Sequence, residues 1–270
     1  MTAASDPATR ELRGVTVPAL LVAVAAFAAL LVVIEVALGT SWGQSADDRA
    51  MASAVAGREA RLTLLSILGR VPVVAVAAVA VVGVLLALVR RHLRAALGAG
   101  VAIAGANLTT QVLKQVVLDR PDLGLGVHNS LPSGHVTVAA STTAALLMVV
   151  GTRIRVFLAG LGTFAVGLTG LSTIVAGWHR PGDVVAALLV SLGWGAVGVV
   201  VAGGRRAPSR GALLTALSGA VSALLAIVLI GVRPVSGLDG FFEASAILGA
   251  VAVASAVTVW LMTAICPADP

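Results

Sequence analysis

The stretch Val15–Leu38, VTVPALLVAVAAFAALLVVIEVAL, runs for 24 residues with Glu35 as its single charge. Wound as a helix at about 1.5 Å per residue, it is long enough to cross a hydrocarbon core roughly 30 Å thick. A polar tail with Arg10 and Arg13 precedes it, as in a secretory signal. The apolar part of such a signal is only about 7–15 residues long and ends at a small-residue cleavage site. This run is longer and more runs follow, so it reads as a retained transmembrane helix.

Seven further apolar runs predict helices at about 68–89, 96–117, 135–152, 156–176, 183–203, 211–232 and 242–265. Composition agrees: 59% of residues are hydrophobic and 11% charged, with a mean hydropathy of +1.05, far from the usual soluble domain. The expected fold class is all-α, a polytopic transmembrane helix bundle, with a six-helix core in residues 1–210 and a C-terminal helix pair in 211–270. Ser218, Ser222 and Ala226, spaced by four, would give that pair a small-residue face for close helix contact. The longest connection, Thr40 to about Ser66, carries Asp47, Asp48, Arg49, Arg58, Glu59 and Arg61 and reads as a surface amphipathic segment.

A net charge of +6 and a pI near 11.3 invite a nucleic-acid partner, but the cations are scattered between spans with no basic domain, so none is expected. Topology explains them instead. With the N-terminus inside, ten cations, among them Arg153 and Arg155, fall on the inner face and eight on the outer, the bias of the positive-inside rule. Cys266 is the only cysteine, which excludes an intramolecular disulfide.

Three polar clusters interrupt the apolar chain: KQVVLDRP at Lys114–Pro121, LPSGH at Leu131–His135 and STIVAGWHRPGD at Ser172–Asp183. An even number of spans separates them, so all three reach one face, the outer one. His135 and His179 are 44 residues apart, which is two crossings of about 20 and a tight turn. The two imidazoles therefore meet at one level.

Together the clusters hold what phosphoryl transfer without a metal requires. One imidazole attacks phosphorus, the other protonates the leaving oxygen, and a carboxylate fixes the attacking ring's tautomer. Asp183, four residues after His179, would share one side of a helical turn with it. Lys114 and Arg120 suit a phosphate clamp. Ser133 and Gly134 stand at a helix N-terminus, where free N–H groups favour an anion.

This arrangement resembles the type 2 phosphatidic acid phosphatase superfamily, whose signature is a Lys and Arg-Pro element, then Pro-Ser-Gly-His, then Ser-Arg with His and Asp downstream. The resemblance covers Lys114 to Asp183 and the six helices around them. It implies phosphate binding by Lys114, Arg120, Ser133 and Gly134, acid catalysis by His135, nucleophilic attack by His179 with support from Asp183, and a phosphohistidine later hydrolysed by water. Two departures stand out. Five residues separate Lys114 from Arg120 where the family has six, so the helix end must rearrange. Thr173 follows Ser172 where the family has a phosphate-binding Arg, a loss that Arg180 would offset.

His128 and Asn129 read as solvated loop residues, Trp178 as an interfacial belt residue beside the site, and Pro181 as the first residue of the sixth helix. Glu35 is either interfacial or in reach of a headgroup. No metal-ligand spacing is present, and no metal or other cofactor is expected. The function expected is hydrolysis of a lipid phosphate (phosphatidic acid, phosphatidylglycerol phosphate or a polyprenyl phosphate or diphosphate) at the outer face of the plasma membrane. Membrane lipids are the other expected partners, and a homo-oligomer stays open. A lipid phosphotransferase, or a non-catalytic lipid-phosphate binder or transporter, is the alternative.

Overall fold

A computed structural model of the chain describes residues 14–55, 92–120, 129–204, 210–229 and 237–268, and the single positions 62, 66, 78, 83 and 85. The expected span at 68–89, apart from three of those positions, lies outside the described residues, as do Pro121 and His128. Among the described residues there are eight helices and no strand. They are α1 (Thr16–Gly39, its last turn π-helical), α2 (Ser41–Ala54), α3 (Leu93–Val117, also ending in a π turn) and α4 (Gly134–Val149). Then follow α5 (Thr152–Val175), α6 (Pro181–Ala202), α7 (Ala212–Leu229) and α8 (Gly237–Ile265). Six of these, α1, α3, α5, α6, α7 and α8, are long and apolar enough to cross a membrane. The chain is an integral membrane protein with an all-α fold.

The centre is α6, which packs against α1, α3, α4 and α8. Two thirds of its apolar window (67%) is buried inside the protein, against 22% for α1 at the periphery. Bilayer lipid is as apolar as leucine, so what draws helices together there is close packing. At the α3–α6 crossing the two backbones touch: a Cβ on Gly98 would stand 2.3 Å from the Gly198 carbonyl oxygen, and one on Gly198 2.4 Å from that of Gly98. Farther along, the Trp194 ring lies over Gly105, and its Nε1–H donates to Thr109 Oγ1 at 2.9 Å.

Although α4 has only 16 residues, it is enclosed by α3, α5 and α6, and 11 of its residues are buried. It therefore presents little side-chain surface to lipid. Leu131 and Ser133, in the extended segment before it, are fully buried, as irregular backbone beside a membrane core must be.

The C-terminal helices pack into the same body: α7 lies on α5, and α8 touches α2, α4, α5, α6 and α7. The small-residue face expected at Ser218, Ser222 and Ala226 is not the contact face, since both serines are exposed. Contact is made one register over, by Ala212, Ala216, Gly219, Ala220 and Ala223, because α5 approaches from that side.

Arg155, expected to be a loop charge, is 2% exposed. It donates to Leu147 O (2.9 Å), Val150 O (3.0 Å) and Pro267 O (2.6 Å), which ties the end of α4 to the residues after α8. A cation at the carbonyl end of α4 also complements its dipole. Each buried carbonyl left without a partner costs on the order of 1–3 kcal/mol. Arg155→Met should therefore lower the melting temperature of the detergent-solubilised protein by several degrees, and Arg155→Lys should recover only part of it for want of the guanidinium fork. A melting curve identical to wild type would refute the staple.

Candidate active site

The polar clusters meet where α3 ends, α4 begins and α5 turns into α6. The turn after α5 depends on Gly177, whose φ of 73° is open to glycine at little cost. Beyond it, the N–H groups of Trp178 and His179 both donate to Thr173 O, at 2.9 and 3.2 Å. The Thr173 hydroxyl itself donates to Gly170 O at 2.8 Å and is buried. Position 173 thus shapes the turn that presents His179 and supplies no cation.

Pro181 is the first residue of α6, and Asp183 sits in its first turn, fully buried. Asp183 Oδ2 accepts from the Arg180 backbone N–H (2.9 Å) and from Ser130 Oγ (2.5 Å), and lies 3.3 Å from His179 Nδ1. The expected pairing of His179 with Asp183 is present, but its geometry is that of a helix cap: His179 precedes the helix and Asp183 reaches back to it. With Nδ1–H directed at the carboxylate, the lone pair of His179 lies at Nε2.

The LPSGH segment is held against this unit by Ser133 N–H donating to Asp183 O at 3.0 Å. No side chain caps the N-terminus of α4, so its first N–H groups, beginning at Gly134, remain available to an anion. His135, half-buried in that first turn, has its ring centre 6.4 Å from that of His179. Trp178, 39% exposed, places its ring 5.8 Å from His135. It does more than the expected belt residue, since it walls His135 on one side.

Three cations converge here. Arg120 has a side chain 1% exposed, with Nη2 3.7 Å from Asp183 Oδ1. None of its three guanidinium nitrogens has a hydrogen-bond partner, and neither does the buried Ser133 Oγ. Burial, and then the neighbouring Arg180, push the Arg120 pKa down from its ordinary value. Buried donors left open in this way are rare in proteins, and a guanidinium with a hydroxyl is a donor set suited to an anion. Lys114, in the π turn that closes α3, is half-buried and within electrostatic reach of His135. Arg180, 8% exposed, pairs through Nε with Asp48 and extends Nη1 towards Ser130 Oγ at 3.5 Å.

Four residues escaped the sequence reading. Asp47 and Asp48 on α2 point into the site: Asp47 Oδ1 accepts from Gly182 N–H at 2.8 Å, and Asp48 takes Arg180. The described first part of the segment expected to be a surface connection, Ser41–Ala54, is thus a helix laid over this end of the bundle. Ser130 bonds to Asp183. Asn129, expected to be solvated, bridges the loop, donating to Leu118 O (2.7 Å) and accepting from Leu131 N–H (3.1 Å). A short-loop Asn followed by Ser and an extended Leu-Pro was the available signal for a side-chain-braced turn. Glu35 is exposed, with its carboxylate beside Gly39. Among the described residues no three His, Cys, Asp or Glu side chains gather to hold a metal ion.

Residues 95–207 match the sequence model of the PAP2 superfamily. Neither a curated protein nor a solved structure matches the chain. The match, which takes in all three polar clusters, supports membership of the PAP2 superfamily and, at that level, a phosphatase acting on phosphate esters.

Asp47 has the most readable titration. Burial raises its pKa from 3.8 to about 6, with Asp183 adding to the rise and the Gly182 N–H, Arg120 and Arg180 opposing it. The folded protein therefore holds a proton between pH 3.8 and about 6 that the unfolded chain has lost. Its contribution to stability is fullest below the unfolded value and is lost as pH rises through the folded one. Asp47→Asn should flatten the melting temperature against pH across that window; a slope equal to wild type would contradict this assignment.

Proposed function

We propose that this PAP2 superfamily phosphatase hydrolyses a lipid phosphate at the outer face of the plasma membrane, through a phosphohistidine on His179 and without a metal ion. The substrate class is a phosphomonoester or diphosphate on an apolar tail: phosphatidic acid, phosphatidylglycerol phosphate or a polyprenyl phosphate or diphosphate. The observation that carries this reading is the triad of His179 on Asp183 with His135 opposite, beside the unpartnered donors of Arg120 and Ser133. An anion site alone would have no use for two imidazoles and a tautomer-fixing carboxylate.

In the first half-reaction the phosphate takes the open donors of Arg120 and Ser133 and the N–H groups at the start of α4, with Gly134 allowing close approach and Lys114 and Arg180 adding charge. His179 Nε2 attacks phosphorus as the bond to the lipid oxygen breaks. His135, entering as imidazolium, gives that oxygen its proton, so the lipid leaves as a neutral hydroxyl or a protonated phosphate. In the second half-reaction His135, now neutral, takes a proton from water as the water oxygen attacks phosphorus and the N–P bond breaks. Inorganic phosphate leaves and both histidines return to their starting states. Asp183 stabilises the charge that builds on the His179 ring. Metal independence is supported by the three cations, which meet the phosphate charge directly.

A lipid substrate is supported by the setting. The site lies at the end of membrane-crossing helices, and Val116 (80% exposed), Val117 (59%) and Trp178 (39%) surround it with apolar surface. The outer face is supported by the excess of cations placed at the opposite helix ends.

Detergent-purified protein should release phosphate from at least one of these lipids in the presence of a chelator. His179→Ala should abolish the release, and Asp183→Asn should lower kcat by roughly 100-fold or more, as expected when a histidine loses its tautomer-fixing carboxylate. Folded wild type that releases no phosphate from any of them would favour a lipid-phosphate binder or transporter, and release that requires an added acceptor lipid would favour a phosphotransferase.

A further inference from the structure

We infer that α2 is a working part of the active site, in which Asp48 positions Arg180 for the substrate phosphate and Asp47 clamps the helix onto the first turn of α6. The inference rests on the reading of this end of the bundle as a phosphate site, and adds to it two carboxylates and a helix that no part of the family match reaches.

The way Arg180 is held decides its role. Asp48 takes the guanidinium through Nε, and the remaining polar contact is a long one, Nη1 to Ser130 Oγ at 3.5 Å. A guanidinium gripped at Nε still offers the paired N–H groups of its terminal nitrogens, the edge that matches two phosphate oxygens. Without Asp48, a long side chain following a loop histidine would lose much of its preferred orientation and would have to recover it on binding. Position 173 has spent its hydroxyl on Gly170 and offers no cation, so Arg180 is the second guanidinium at the site, beside the open donors of Arg120.

The helix that carries Asp48 is built into the body at its start and along its side. At the corner with α1, Thr40 Oγ accepts from Gly43 N–H at 3.1 Å while donating to Val36 O at 2.8 Å, and Gln44 Nε2, 1% exposed as a residue, donates to Leu38 O at 2.9 Å. On its other side α2 packs on α8, which gives the last helix of the chain a part in the site. Asp47 then bonds to Gly182 N–H, at a position where a Cβ would stand 2.7 Å from the carboxylate. A larger residue there would make the Asp47 carboxylate shift. The arrangement makes Asp48 a positioning residue: it acts on substrate through Arg180 and touches no reacting atom.

The test is a double-mutant cycle on the full-length protein in detergent. Binding of inorganic phosphate is measured by calorimetry, and turnover is measured beside it on the lipid that the wild type hydrolyses. Asp48→Asn should weaken phosphate binding about tenfold, the order of one charged hydrogen-bonded contact, with melting temperature held close to wild type. Arg180→Ala should weaken it by a similar factor. The double variant should be no worse than Arg180→Ala, and Asp48→Glu should recover part of the loss. A purely structural role for Asp48 would instead give losses that multiply in the double variant, and would overturn the inference. So would unchanged binding in Asp48→Asn, or tighter binding, which would make Asp48 a competitor of the phosphate. Wild type that binds phosphate without turnover would sink the hydrolase reading while leaving this one standing; wild type that binds no phosphate would overturn both.

Discussion

Everything at the active end is arranged around one buried carboxylate. Asp183 is fully buried, and a carboxylate taken out of water is tolerable only with several donors around it. Its neighbours supply them: Arg180 N–H, Ser130 Oγ and the His179 ring on Oδ2, with Arg120 facing Oδ1. Its backbone oxygen holds Ser133. A single residue in the first turn of α6 therefore gathers the end of α3, the start of α4 and the turn after α5. The charge that must be neutralised and the geometry that phosphoryl transfer needs are met by the same contacts.

That role requires α6 to be rigid and central, and its packing makes it so. The bare backbone contact of Gly98 with Gly198 brings α3 as close as two helices can come, and Trp194 against Gly105 sets the register of the same pair. At the far end the buried Arg155 fixes the turn between α4 and α5. His135 rides on α4 and His179 on the turn between α5 and α6, so a helix shift of a fraction of a turn would separate them. Precision at the site is thus inherited from contacts made by residues without side chains and by one cation remote from the chemistry.

Much of this was legible in the chain. Apolar runs of bilayer length anticipated the six membrane-length helices among the described residues, and the even number of runs between the polar clusters placed His135, His179, Lys114 and Arg120 on one end. What pattern could not show was contact between segments far apart in sequence. Asp47 and Asp48 look like ordinary acids of a polar connection, and only folding carries them about 130 residues along the chain to Arg180 and Gly182. Arg155 read as a loop charge because its three acceptors are backbone carbonyls, which sequence does not mark. Ser218 and Ser222 misled because a small-residue stripe exists on two faces of α7, and the direction from which α5 arrives chooses between them. In the other direction, the spacing of His179 and Asp183 predicted the right pair by way of a helical face, whereas the protein makes it through a helix cap.

The central claim is that His179 becomes covalently phosphorylated. Mixing the protein with a radiolabelled lipid phosphate, quenching in base within a turnover and mapping the labelled peptide tests it directly. The account predicts a base-stable, acid-labile phosphoramidate on the peptide containing His179, absent from His179→Ala and accumulating when His135 is replaced under conditions that still allow attack on a substrate with a good leaving group. Phosphate release by an enzyme that never carries label, or label on a side chain other than His179, would contradict it.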